Sequence, residues 1–467
     1  MFKIILLVIY IATILAVIFV ERKNPTEALL WVFVMVCIPY AGVLLYLVFG
    51  STTAIKLTSV FRRKKLSKRL PAAKISQDLL TGQQVSEEDL QVMQFNENYN
   101  NSLVTCYENY QLFITGETHY RALFEDIKGA KESIYVLFYT IHHDVMGEAL
   151  VKSLTEKAKE GVTVLVMGDL IANLSTPSKM FKPLVDAGGK VIRVKPYLTH
   201  YRSHRKIVTI DHKIGYIGGM NIGKQYANLA EKKNPWRDTQ IRLTGACVAT
   251  LDAYFMTDLL CAVRRKDWED VVKYMESIQL PPQRRTPNLC QFVVGGVDND
   301  KEAVKMNYLS MIRSAKKKIR IQSPYFIPDA SVLDALKTAA ASGVEIDLMI
   351  PGIKASFFLD PVTTYYAGQI MEFGAKVYKY HGYIHAKTMT IDDELCCIGS
   401  VNMDMRSLMV DDEICGIFYA NDLVQDYIHI FENDILNCDP YIYDQFLNRG
   451  QKEKFVECIF LPFAPLM

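Results

Sequence analysis

The chain has 467 residues, 50% hydrophobic and 22% charged: too apolar for disorder, too charged for a polytopic transporter, and long enough for roughly three domains. Its ten cysteines include no C-x-x-C pair, so neither a zinc knuckle nor a disulfide scaffold is indicated, and the thiols read as reduced in a cytosolic body. The net charge of +2 divides into +8 over residues 1–70 and −6 over the rest, which argues against a basic body that binds nucleic acid.

Residues 4–20 and 28–49 are uncharged runs of 17 and 22 residues. At about 1.5 Å per residue the second crosses a hydrocarbon core of about 30 Å and the first just reaches across. Lys3 ahead of the first run would suit a cleaved signal peptide, but Glu21-Arg22-Lys23 follows with no small-residue cleavage pattern. Residues 1–50 are therefore expected to form a two-helix transmembrane hairpin. Its loop carries Arg22 and Lys23, whereas seven Lys and Arg fall within 51–70, so both termini should face the cytoplasm. That arrangement predicts a multi-pass protein of the cell (inner) membrane with a cytoplasmic catalytic domain. The run Arg62, Arg63, Lys64 and Lys65 reads as a stop-transfer flank that also draws the body to an anionic membrane surface. Residues 51–110 read as a basic juxtamembrane segment and polar linker with at most short helices. The apolar end, 455–467, is either a tail docked in the core or a membrane-surface contact.

The remainder repeats itself. Ala130-Lys131-Glu132-Ser133-Ile134-Tyr135-Val136 is echoed by Ala315-Lys316-Lys317-Lys318-Ile319-Arg320-Ile321, and Gly161-Val162-Thr163-Val164 by Gly343-Val344-Glu345-Ile346. A helix-period stretch precedes the second strand in each copy: Leu150, Leu154 and Ala158, then Leu333, Leu336 and Ala340. The expected fold is α/β: two pseudo-twofold-related halves, 111–285 and 286–467, each a mixed sheet flanked by helices, with a site at their interface.

The sharpest echo is chemical. His204, Lys206 and Asp211 form H-x-K-x4-D, and His385, Lys387 and Asp392 form it again. Gly218 and Gly399 follow 14 residues after each histidine, Asn221 and Asn402 17 after. A His and a Lys two apart on a strand share a face. Two such halves would surround one point with two imidazoles and four donors to phosphate oxygens, the set that phosphodiester exchange needs. One neutral His attacks phosphorus and the other, protonated, gives its proton to the leaving alkoxide. Lys206, Lys387, Asn221 and Asn402 would bind the phosphate oxygens, with no metal and no cofactor required. Asp238 and Glu413 are the carboxylates on which the histidines would lean. Asp211 and Asp392, seven residues from their histidines, read as turn or fold residues rather than proton carriers.

Two weaker signals stand beside this set. Gly218 to Lys224 nearly spells a P-loop, but Gln225 replaces the magnesium-binding Ser or Thr. His142-His143-Asp144 has the residue types of a metal site, yet lacks matching ligand spacing and reads as a loop near the pocket. Asp404, Arg406 and Ser407 either line the cleft or cap a turn entering a helix.

At its doubled motif the chain resembles the phospholipase D superfamily, and more narrowly the bacterial cardiolipin synthases. The likeness covers nearly the whole chain, through Tyr201-Arg202-Ser203-His204-Arg205-Lys206, Gly218-Gly219-Met220-Asn221, Trp236-Arg237-Asp238, Ser323-Pro324-Tyr325-Phe326 and Gly399-Ser400-Val401-Asn402-Met403-Asp404. The resemblance counts both H-x-K-x4-D sets, Asp211 and Asp392 included, as the catalytic motif. It implies that two phosphatidylglycerols give cardiolipin and glycerol through a phosphatidyl-histidine on His204, with His385 as acid and then base. A membrane phospholipase D that hydrolyses or exchanges other lipids, phosphatidylethanolamine included, would keep the same residues. Two departures stand out: Ser203 replaces a common Asn, and Asp411-Asp412 replaces an Asn and an aromatic residue. Two added carboxylates should repel an anionic headgroup.

Overall fold

The computed structural model describes residues 2–19, 25–47, 85–195, 201–229, 235–278, 286–296, 302–354 and 356–467. The chain divides into two units, Met1–Pro71 with Pro196–Arg202, and Ala72–Lys195 with Ser203–Met467.

In the first unit, helix Phe2–Phe19 is followed by helix Pro25–Cys37 and the short helix Ala41–Leu45. The expected second span is thus broken. Pro39 ends the 13-residue helix, Tyr40 takes a left-handed φ of 63°, and the chain turns back on itself. Gly42 allows this: a Cβ there would lie 2.8 Å from the Val34 carbonyl oxygen and the Met35 Cα. Val17, Met35, Val43 and Tyr46 make a small core, while most of the other apolar side chains point outward. Among the described residues no helix is long and apolar enough to cross a membrane. The basic run at 62–65 and the loop at Arg22 and Lys23 lie outside the described residues.

The second unit carries the repeat. Its first sheet has, among the described residues, seven strands around Ser133–Phe138, every residue of which is buried. That strand pairs in parallel with Thr163–Asp169 and antiparallel with Ile207–Ile210, with Ile134 opposite Ile210 and Leu137 opposite Ile207. The second sheet has nine strands and the same arrangement: Lys318–Gln322 lies between the parallel Glu345–Pro351 and the antiparallel Thr388–Ile391. Strands buried on both faces favour continuous apolar runs, which Ser133–Phe138 has; Lys318–Gln322 instead alternates, with Ile319 and Ile321 in the core and Arg320 and Gln322 also buried. One apolar layer joins the halves, with Leu137, Ile207, Ile217 and Ile241 of the first sheet packed among Cys396, Ile398, Ile414 and Phe418 of the second.

Part of the expected linker belongs to this architecture. Glu87–Asn100 is a four-turn helix, capped by the Ser86 hydroxyl accepting from the Asp89 N–H and favoured by Glu87, Glu88 and Asp89 in its first turn. Asn96 donates to Asn307 on the helix Ala303–Ser314 at 2.9 Å, and Thr105–Cys106 adds an edge strand to the second sheet.

Candidate active site

The segments that carry the histidines are extended but lie just ahead of the regular strands Ile207–Ile210 and Thr388–Ile391, not within them. Each is tied to the opposite half. Ser203 bridges Asp412 and the His204 N–H donates to the Asp412 carbonyl at 2.9 Å. In the same way Ile384 pairs with Arg237, and the His385 N–H donates to the Arg237 carbonyl at 2.6 Å. This backbone pairing makes Asp238 and Glu413 equivalent, each following the residue that receives its partner's N–H.

The side chains cross over accordingly. His204 Nδ1 lies 2.7 Å from Glu413 Oε1, and His385 Nδ1 lies 2.6 Å from Asp238 Oδ2. Each imidazole therefore comes from one half and its carboxylate from the other. With Nδ1–H donating to the carboxylate, Nε2 is the ring nitrogen left for substrate. Lys206 and Lys387 are buried beside them, and each ammonium donates to the carbonyl of its own motif histidine.

Electrostatics separate the two pairs. Burial, then the Lys206 and Lys387 charges, hold the His204 imidazole well below its ordinary range. Burial and Lys387, only partly opposed by Asp238, push His385 down to about 4. Burial pushes the Glu413 carboxyl up to about 7 against the pull of Lys206 and Ser400. Asp238 is buried as deeply, but His385 and Lys387 outweigh the burial and hold it below the usual carboxylate range. Burial also pushes Lys206 down to about 7 and Lys387 to about 8.

The walls differ too. Around His385 stand the rings of Trp236, Tyr226 and Tyr383, with centroids at 5.2, 5.9 and 5.9 Å; beside His204 stands Tyr139, at 4.7 Å. Where Trp236 lines the first pair, the equivalent Asp411 lines the second, with Oδ1 2.9 Å from Arg406 Nη2. This arginine offsets the carboxylate expected to repel a phosphate. Asp412 meets the site through its backbone carbonyl, which receives the His204 N–H. The turn glycine Gly219 abuts Asp238, where a Cβ would lie 2.2 Å from Oδ1. Its counterpart Ser400 instead donates a hydroxyl to Glu413.

The asparagines are unequal. Asn221 is engaged, its Oδ1 accepting from the Thr140 N–H at 3.2 Å and its Nδ2 donating to the Tyr226 hydroxyl at 2.8 Å. Asn402 is buried, with no partner for its Oδ1 among the described residues. Asp211 and Asp392 follow the far ends of the strands Ile207–Ile210 and Thr388–Ile391 and hold turns there. Both have φ near +50°, and each carboxylate accepts three consecutive backbone N–H groups, from Lys131, Glu132 and Ser133 or from Lys316, Lys317 and Lys318. Asp404 caps the helix Met405–Met409 by accepting from the Ser407 N–H at 2.8 Å. Asp144 caps the helix Val145–Lys159 and also accepts from the Lys224 N–H, so the near P-loop is a turn resting on a helix cap. No cluster able to hold a metal ion occurs among the described residues. Sequence reasoning missed Tyr139 and Ser400; the second shows up only when the repeats are aligned at Gly219.

With this geometry in view, comparison with known proteins identifies the family. The family model described as "Cardiolipin synthase, PLD-like domain" matches residues 123–234 and 308–435, and a phospholipase D-nuclease N-terminal model matches 8–51. The chain belongs to the cardiolipin synthase family of phospholipase D-like proteins. A cardiolipin synthase of Listeria monocytogenes serotype 4a (strain HCC23) is 31% identical, covering 99% of this chain and 98% of its own. The major cardiolipin synthase of Bacillus subtilis (strain 168) is 33% identical, covering 97% and 96%. Among solved structures, a phosphatidylserine synthase of Haemophilus influenzae Rd KW20 matches with a TM-score of 0.62 at 16% identity, covering 80% of this chain and 97% of that one. That similarity establishes the fold.

Proposed function

We propose that this family member transfers a phosphatidyl group from one phosphatidylglycerol to another, giving cardiolipin and glycerol. The observation that carries the reading is the crossed pairing of His204 with Glu413 and His385 with Asp238 beside two buried lysines. His204, held neutral, attacks phosphorus through Nε2 as the bond to the headgroup glycerol breaks. His385, supported by the ionised Asp238, gives that glycerol its proton. The bound phosphodiester anion raises His385 from its value in the empty pocket. His385 then takes the proton from a headgroup hydroxyl of the second phosphatidylglycerol, whose oxygen displaces His204 from phosphorus. Lys206 and Lys387 neutralise the non-bridging oxygens, Asn402 supplies a further polar contact, and Asn221 holds the wall. One phosphodiester replaces another, so the exchange needs no nucleotide.

The outward apolar side chains of the N-terminal unit support anchoring in the cell membrane as an embedded, folded-back helix pair, with the second unit on the cytoplasmic side. Mass spectrometry of the products from purified full-length protein and phosphatidylglycerol tests the reading. Cardiolipin with equimolar glycerol is expected. Phosphatidic acid as the main product would assign the site to hydrolysis instead.

A further inference from the structure

The C-terminal helix Gln451–Phe460 is built inside out. Glu457 is buried, 3% exposed, and held by both oxygens to Arg449 at 2.7 Å, while Phe455 is 66% exposed and Ile459 46%. A helix packed on a protein in water does the reverse. Phe463, on the following turn, is 51% exposed, and Phe357 and Phe358 stand out from a neighbouring loop. The rings of Phe357 and Phe358 meet Phe460 at 5.6 and 6.3 Å, which joins loop and helix into one patch. Scattered exposed apolar residues need no explanation, but a contiguous aromatic surface does.

The patch is rimmed by cations. Lys452 and Lys454 lie on the helix and Lys354 on the loop, and Lys379 is within electrostatic reach of both Lys354 and Glu453. Of the acids on these segments, Glu457 is engaged by Arg449 and Asp360 by the Ser356 N–H, while Glu453 stands exposed between Lys452 and Lys454. The patch is packed on elements that also carry the cleft. Ala464 is buried with Ile327 and Val362, and Met405 packs on that cluster. Met405 follows Asp404, whose strand pairs with Phe326–Ile327 and begins one residue after Asn402.

We infer that this aromatic and lysine-rimmed surface docks the catalytic unit on an anionic phospholipid bilayer, setting the cleft beside the acyl chains it must admit. The inference rests on the lipid-transfer reading but not on the N-terminal helices. Aromatic and branched side chains sink into the headgroup boundary while lysines meet lipid phosphates. A bilayer suits the patch better than a second copy, because two copies would bring like-charged rims together.

Two measurements on the full chain test it. In a Cys37→Ser background, the exposed Cys458 is labelled with an environment-sensitive fluorophore and the protein reconstituted into phosphatidylglycerol vesicles. A blue shift and quenching by brominated acyl chains are expected. A probe that stays aqueous overturns the inference, as does a lipid-independent shift that grows with protein concentration, which would seat a second copy there. In the second, Phe455→Ser, Ile459→Ser and Phe463→Ser are combined. Turnover on vesicles should fall about tenfold or more, while turnover on monomeric short-chain phosphatidylglycerol stays within about twofold. Equal rates on vesicles overturn the docking surface. No cardiolipin from either protein on short-chain lipid would instead overturn the lipid-transfer reading.

Discussion

The two histidine sites share a backbone and differ in nearly everything placed on it. His385 is walled by Trp236, Tyr226 and Tyr383 and paired with a carboxylate held in its charged form. His204 sits by Tyr139 and near the Arg406–Asp411 pair, and its carboxylate is raised to about 7 and bonded to Ser400. A duplicated motif gives two chemically identical imidazoles, but the reaction needs one as nucleophile and one as acid. The difference must come from the surroundings, and here it does: the firmly ionised carboxylate faces the histidine that has to carry a proton.

The comparison can be broken most severely at the histidines. His204→Ala and His385→Ala should each lower cardiolipin formation by about 10³-fold or more, measured as initial rates by mass spectrometry. The lysines come next. Lys206→Met and Lys387→Met should each cost about 10²-fold in kcat/KM. The lysines also set the alkaline limb. Because burial holds Lys206 near 7 and Lys387 near 8, raising the pH removes the charges that neutralise phosphate, and kcat/KM should fall above about pH 7. Lys387→Met removes a like charge that depresses Lys206, so the remaining limb should move to higher pH.

The carboxylates sharpen the contrast. Asp238→Asn removes a charge present at neutral pH and should cost about a hundredfold, whereas Glu413→Gln removes one that is only partly present and should cost about tenfold. Equal losses would mean that the two pairs are electrostatically alike. The smallest effect on catalysis belongs to Asp211→Ala and Asp392→Ala. Each frees three backbone N–H groups, so stability should drop by about 1–3 kcal/mol in denaturant titration while kcat stays within about twofold.

Much of this was legible in the sequence because repetition multiplies a weak signal. One His-x-Lys says little, but two in register with matching Gly and Asn placed both halves and named Asp238 and Glu413 as supports. Which carboxylate serves which histidine was not legible. Pairing across the halves comes from Ile384 lying beside Arg237 and Ser203 beside Asp412, contacts with no local pattern. The helix Glu87–Asn100 was hidden because its polar residues face a polar contact at Asn307. The second apolar run misled in the opposite way: its hydropathy hid Pro39, where the backbone folds back.

Rapid quenching of the full-length enzyme in mildly alkaline denaturant during turnover of phosphatidylglycerol, which keeps the acid-labile phosphorus–nitrogen bond, followed by peptide mass spectrometry, tests the central claim most directly. The phosphatidyl adduct should sit on His204, disappear in His204→Ala, and form slowly but still on His204 in His385→Ala. An adduct on His385, or undiminished cardiolipin output from either variant, would contradict a site in which these two imidazoles act on one phosphorus.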